Sequence, residues 1–227
     1  MSASVHPTAL VDPSARLAAG VRIGPFAVVE ADTVLGARTE IRAHAVVKRF
    51  TSLGEDNVVH EGAVLGGEPQ DVHFQGADSF VRIGHRNRIR EGVTVHRATT
   101  PDGATVIGSD CFLMACAHVA HDCHLADRVI MANNTALAGH VHIGERAFLS
   151  GGVVVHQFCR IGRLAMVGGN AKVVQDCLPF VITDGLPARA RGLNVVGLRR
   201  AGVPATRVRL LKEAFRLLAR GAASRDE

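Results

Sequence analysis

A solenoid of parallel β-strands, carrying a short C-terminal helical appendage, is the fold class the sequence predicts, and three observations predict it. Taking every sixth residue from Val5 gives Val11, Leu17, Ile23, Val29, Leu35, Ile41, Val47, Leu53, Val59 and Leu65, all aliphatic; the phase returns at Ile83, Ile89 and Val95 and runs from Ile107 through Val119, Leu137 and Val155 to Val173. A second column four residues on is mostly small, as at Ala27, Thr33, Ala45, Ala63, Cys111, Ala117, Cys123, Thr135 and Ala147. Glycine often follows the aliphatic residue, as in Ile23-Gly24 and Ile143-Gly144. A period of six fits neither the 3.6 of a helix nor the varied turns of a β-sandwich. It is the spacing of a parallel β-helix, in which each hexad supplies one short strand and one turn and three hexads close a triangular coil.

In chain order, residues 1–178 form the β-helix, with loops predicted at 66–82 and 96–106, where Gly, Asp, Thr and Pro interrupt the period. The first loop holds Gln70-Asp71-Val72-His73. The period stops at Leu178-Pro179, and residues 179–227 form a short helical region. Pro187 and Gly192 mark irregular chain, and a short helix over Asn194 to Arg200 ends at Gly202. A second helix starts at Pro204, with Val208, Leu211, Phe215 and Leu218 on one face and Gly221 after its end. Its other face carries Arg207, Arg209, Lys212, Arg216 and Arg220, which reads equally as a solvated face or as a dock for an acidic carrier protein.

The chain has 227 residues, 47% hydrophobic and 21% charged, enough to close a core. With no Trp or Tyr, that core must be Val, Ile, Leu and Ala. A formal charge of +5 favours an acidic partner, whether nucleic acid, anionic lipid, a nucleotide or an acidic carrier protein. No nucleic-acid reader motif accompanies the basic residues. No apolar run approaches a membrane span, and Met1-Ser2-Ala3-Ser4-Val5-His6-Pro7 lacks the basic and apolar regions of a secretory signal, so a cytoplasmic protein is expected. Five cysteines without a Cys-x-x-Cys pair read as small buried thiols.

Three hexads per coil stack residues eighteen apart at the roughly 4.8 Å spacing of neighbouring strands. His121, Gly139 and Gln157 then form one column and Asp122, His140 and Phe158 the next, outward of Val119, Leu137 and Val155. An imidazole suits a general base for a hydroxyl attacking a carbonyl, and a carboxylate beside it orients the ring. Gly139 has no side chain to keep a thioester from its N–H, an oxyanion donor. Base plus oxyanion donor reads as acyl transfer, with no cofactor or metal required. A competing reading is a zinc enzyme like the β-helix carbonic anhydrases, raised by His118, His121, His124, His140, His142 and His156 and weakened by the absence of two His five residues apart on one coil.

The hexad pattern resembles the bacterial hexapeptide-repeat acyltransferases, which implies coils that wind left-handed, an exception to the usual crossover preference, and a homotrimer. His-Val-Ala-His-Asp-Cys at 118–123, Asn-Asn-Thr-Ala-Leu-Ala-Gly-His-Val at 133–141, Val-His-Gln-Phe-Cys at 155–159 and Met-Val-Gly-Gly at 166–169 are similar to blocks of the UDP-N-acetylglucosamine 3-O-acyltransferases of lipid A biosynthesis. Arg-Asn-Arg-Ile-Arg-Glu at 86–91 and Thr-Val-His-Arg at 94–97 match as well, and the likeness extends to about Gly202. The resemblance implies a 3-hydroxyacyl chain carried by acyl carrier protein, its pantetheine lying between two subunits. It implies His121 as general base, Asp122 as its partner and Gly139 as the oxyanion contact. Asp71, His73, His118, His140 and Gln157 would meet the sugar nucleotide, and Asn194 and Arg200 its uridine and phosphates. Met166 and Gly169 fall where the family limits acyl length, the glycine leaving room for a long chain. His73 stands where the family usually has Lys, Val196 replaces a usual Glu, Ala201 replaces a basic residue, and the helical tail is shorter. These departures keep open a 3-amino sugar acylated on nitrogen, and a non-catalytic acyl-binding homologue.

Overall fold

The computed structural model describes residues 2–223, and side chains as far as residue 218. Its strands fall into three sheets of eleven, nine and eight strands among the described residues, each strand of the helix pairing parallel with the third strand before and after it. Val119 pairs with Leu137 and Leu137 with Val155, so a coil takes eighteen residues (137 − 119) and three faces. We call the faces first, second and third in chain order, and each edge by the faces it joins. The chain is a left-handed parallel β-helix with a short helical end.

Each edge is built the same way. The third residue after the inward aliphatic takes a left-handed backbone, as at Asp122 (φ 59°), Asn134 (φ 58°) and His140 (φ 61°). Asn, Asp and Gly tolerate that conformation at the lowest cost, which suits Asp56, Asp110, Asp122 and Asn134, while Arg, Phe and His take it at other coils. The next residue turns inward and is small, and Ala27, Cys123 and Thr135 are fully buried. Between edges, Ile41, Leu65, Leu113, Leu137 and Leu149 fill the prism with no exposed surface, each such burial contributing about 1.5–3 kcal/mol. Asn57 and Asn87 occupy the small column without cost because they form an amide ladder: Asn57 donates to the Gly54 and Gly84 carbonyls and accepts from Asn87 N–H, and Asn87 accepts from Cys111 N–H.

Both interruptions are shorter than the sequence predicted. Strands Val64–Gly67, Phe80–Ile83, Thr94–His96 and Ala104–Ile107 carry the pairing into them. Val81 and Thr105 point inward in alternation with Ile83 and Ile107 and extend the strands, leaving 68–79 and 97–103 extruded. The segment around Pro187 and Gly192 is not irregular. Val181–Gly185 adds to the first face beside Met166 and Val167 and pairs antiparallel with Ala188–Leu193, so a hairpin continues the eleven-stranded sheet.

Helix α1 (Val195–Arg200) follows, with Asn194 as its N-cap. Helix α2 (Ala205–Ala223) continues through Gly221 rather than ending before it, since one glycine costs about 1 kcal/mol in a helix and does not stop it. Val208 and Leu198 pack with Leu164 in a small second core. Leu218, expected on the buried stripe, is 62% exposed where α2 runs past that core. Arg207, Arg209, Lys212 and Arg216 are exposed, while the Arg220 side chain lies outside the described residues. Four cysteines are buried, but Cys116 is exposed because it takes the left-handed turn position rather than the inward column. Among the described residues no helix is long and apolar enough to cross a membrane.

Candidate active site

Stacking of coils puts His121 directly over Gly139. A Cβ built on Gly139 would lie 2.3–2.9 Å from three atoms of the His121 ring, so only glycine leaves the imidazole its place. His140 N–H donates to the His121 carbonyl at 3.0 Å and Phe158 N–H to the Gly139 carbonyl at 3.1 Å, locking three coils in register. The Gly139 N–H has no acceptor among the described residues.

His121 Nδ1 lies 2.9 Å from Asp122 Oδ2, and both side chains are largely buried, 13% and 14% exposed. A carboxylate only accepts, so Nδ1 carries the proton and Nε2 is left free to take one. Asp122 is itself held by Thr99, whose Oγ1 donates at 2.8 Å and whose N–H donates at 3.2 Å. His140 packs edge-on to His121 at 5.3 Å and stacks on the exposed Phe158 at 4.7 Å.

The second face brings further groups to this edge. His118 Nδ1 lies 2.7 Å from Thr94 Oγ1, and the His96 ring sits edge-on at 5.2 Å. Burial pushes the His118 imidazole below its ordinary value of 6.5, and the neighbouring His96 and His121 push the same way, so it stays neutral near pH 7. Segment 68–79 is tied down by the buried Arg97, which reaches the Ala77 carbonyl and Glu68. It carries Asp71, whose carboxyl is lowered chiefly by the His73 N–H and further by the His73 side chain. The His73 side chain is 90% exposed, and among the described residues its hydrogen bonds are to Asp71. Gln157 is exposed on the coil beyond Gly139. Thr94, His96, Thr99 and Arg97 escaped the sequence reading as site residues. Their signal was position, at the start of the second segment that breaks the hexads.

Asn194, Arg200 and Met166 lie elsewhere in the protomer, lining a cavity of about 610 Å³ against the first face. The Asn194 amide is spent on structure: Oδ1 accepts from Gly197 N–H at 3.0 Å and Nδ2 donates to the Leu164 carbonyl at 2.9 Å. Gly169 sits on the edge between first and second faces, where a Cβ would meet nothing closer than 3.6 Å. One protomer therefore joins His121, Asp122, Gly139, His140 and His118, and keeps Asn194 and Arg200 apart from them.

His121, Asp122 and His140 offer ligand atoms all within 4.8 Å of one another. Yet the Asp122 carboxylate is already taken up by His121 and Thr99, a hydrogen-bonded dyad rather than an open ligand set. Buried thiols are inert here: burial raises Cys123 to about 12 and Cys111 to about 11.

Known proteins resemble this chain in sequence and in fold. Residues 176–227 match the family model described as UDP-N-acetylglucosamine O-acyltransferase, domain 2. An acyl-[acyl-carrier-protein]–UDP-N-acetylglucosamine O-acyltransferase of Gloeothece citriformis is 49% identical over 164 residues, 72% of this chain and 59% of that protein. The chain thus spans about three fifths of that relative. The protein of the same name from Paraburkholderia phymatum is 50% identical over 224 residues, 98% of this chain and 86% of its own. The crystal structure of UDP-N-acetylglucosamine O-acyltransferase from Moraxella catarrhalis superposes with a TM-score of 0.92 at 41% identity, covering 95% of this chain and 84% of that one. The hexad solenoid, the imidazole–carboxylate pair over a bare glycine, and these matches place the chain in the family of acyl-[acyl-carrier-protein]–UDP-N-acetylglucosamine O-acyltransferases.

Proposed function

We propose that this protein transfers a 3-hydroxyacyl chain from acyl carrier protein to the 3-hydroxyl of UDP-N-acetylglucosamine, a step of lipid A biosynthesis in the cytoplasm. The observation that carries the reading is the His121 ring lying on Gly139, which puts a free Nε2 beside an unengaged backbone N–H. His121 Nε2 takes the proton as the sugar oxygen attacks the thioester carbonyl. Asp122, fixed by Thr99, supports the imidazolium that forms. Gly139 N–H donates to the oxyanion of the tetrahedral intermediate. Collapse of that intermediate forms the ester, breaks the carbon–sulfur bond and returns the proton from His121 to the departing thiolate.

His118, His140 and Asp71 near His121, and Gln157 on the coil beyond Gly139, serve the sugar nucleotide, with His73 acting through Asp71. Arg200 meets the phosphates, and Asn194 acts chiefly by anchoring α1. Because the Arg200 cavity and the His121 edge lie on different sides of one prism, a whole site needs a second copy, which supports a homotrimer with sites between subunits. Gly169 limits the acyl chain, while Met166, expected beside it, lines the Arg200 cavity instead. The exposed cationic face of α2 is where the acidic carrier protein docks.

The test is turnover with UDP-N-acetylglucosamine and 3-hydroxyacyl carrier protein, with product analysis beside the 3-amino sugar. Ester product lost in His121→Ala is expected. No turnover of either sugar would leave an acyl-binding homologue, and preference for the amine would move the acceptor atom to nitrogen.

A further inference from the structure

The edge joining third and first faces carries a ladder of charges in the left-handed turn position: Arg38, Asp56, Arg86, Asp110, Arg128, Arg146. Backbone bonds stack its members coil on coil, Asp110 N–H to the His85 carbonyl, Arg128 N–H to Ser109, and Arg146 N–H to Asp127. Low on the ladder the signs alternate and pair, Arg38 with Asp56 at 2.6 Å and Arg86 with Asp110 at 2.7 Å. After Arg128 the alternation fails, because Arg146 stands where an acid would continue it.

Like charges on neighbouring strands repel and are destabilising. Among the described residues Glu145 is the acid that ion-pairs with both, and it is shared: Arg128 at 3.3 Å, Arg146 at 3.7 Å and Arg163 at 3.4 Å. The break coincides with the cavity against the first face. Arg128, Arg146 and Arg200 line that cavity, and among the described residues no acidic side chain does. Arg146 Nη1 donates to the Ala201 carbonyl at 3.4 Å, which fixes its guanidinium at the C-terminal end of α1 beside Arg200. Phe148 and Met166 form the apolar floor.

We propose that Arg128 and Arg146 seat the diphosphate of the sugar nucleotide, Arg146 supplying at Ala201 the cation that position 201 itself lacks. Guanidinium forks match phosphate oxygens bidentately, and two on successive coils fit two linked phosphates better than one. The assignment rests on the proposed function and adds residues to it. It also explains how the cavity binds an anion while the Asn194 amide is engaged internally.

The test varies UDP-N-acetylglucosamine at saturating acyl carrier protein. Arg146→Gln should raise KM roughly tenfold with kcat nearly unchanged, the loss of a charged hydrogen bond to the ligand. Arg146→Lys, which keeps charge without the fork, should fall between the two, and it decides the matter if Arg146→Gln does not fold. UDP binding to the wild type should weaken steeply with added KCl, and less so in Arg146→Gln. A KM unchanged in both variants, or a fall in kcat alone, overturns the seat. If the wild type turns over neither sugar, the proposed function falls, while UDP binding compared between wild type and Arg146→Gln still decides the seat.

Discussion

Two edges of the same prism show how one backbone carries structure in one place and chemistry in another. On the edge between third and first faces, Arg38, Asp56, Arg86 and Asp110 use the turn position to neutralise one another. On the edge between second and third faces, the same position holds Asp122 and His140, at φ within a few degrees of the other ladder. What differs is how the residue before each is used. His85, before Arg86, accepts from the Glu55 N–H at 3.0 Å and is spent on the backbone, whereas His121, before Asp122, pairs with that carboxylate through Nδ1 and lies over Gly139. A closed ion pair is finished, but an imidazole with one nitrogen engaged and one free is poised to move a proton.

His121→Ala breaks that contrast most severely. Removal of a general base costs roughly a thousandfold in kcat, and the coil should keep its melting temperature because the ring lies outside the core. Near-normal kcat would take His121 out of the mechanism. Next in size is Gly139→Ala, whose Cβ must drive the His121 ring from its place, lowering kcat about a hundredfold by misplacement. Gly151→Ala is its control. Gly151 holds the same turn position on another edge, and its Cβ would meet only the Asn133 carbonyl at 3.4 Å. Equal loss in both variants would mean that Gly139 matters for folding and not for clearance.

Much of this was legible in the hexads. Residues eighteen apart had to stack, so the His121, Gly139 and Gln157 column and its neighbour Asp122, His140 and Phe158 followed from counting. The segments where counting stops were not legible. Thr99 holds Asp122 from an inserted loop, and no period predicts where such a loop returns. The hairpin at Val181–Leu193 was hidden by Pro187 and Gly192, which signal a turn but not that its arms extend a sheet. Nor did the sequence separate Met166 from Gly169. Three residues apart, one faces the cavity against the first face and the other occupies an edge.

Thr99→Val sharpens the comparison with a smaller effect. It deletes the Oγ1 donor at 2.8 Å while the Thr99 N–H still holds Asp122 at 3.2 Å. Loss of an orienting partner of this kind costs about tenfold, read in kcat with KM for the donor steady. An unchanged rate would show that the backbone N–H alone fixes the carboxylate.

The smallest effect is on stability, and it divides the edges by pH. His118, at the second face, titrates below 6.5 chiefly because it is buried. The unfolded chain therefore binds the proton more readily, and stability falls as pH drops below 6.5 toward the folded value. Asp56 and Asp110 are lowered instead, chiefly by hydrogen bonds from Arg38 and Arg86. Their contribution is intact above the ordinary carboxylate value of 3.8 and is lost only as pH falls below it. The slope of melting temperature against pH should flatten just below 6.5 in His118→Gln, and near 3.8 and below in Asp110→Asn, whose melting temperature is already lower at neutral pH because the Arg86 pair is gone. If His118→Gln left that upper slope as steep as in the wild type, the buried imidazole would carry no proton linkage, and the two edges would differ in chemistry without differing in how acid unfolds them.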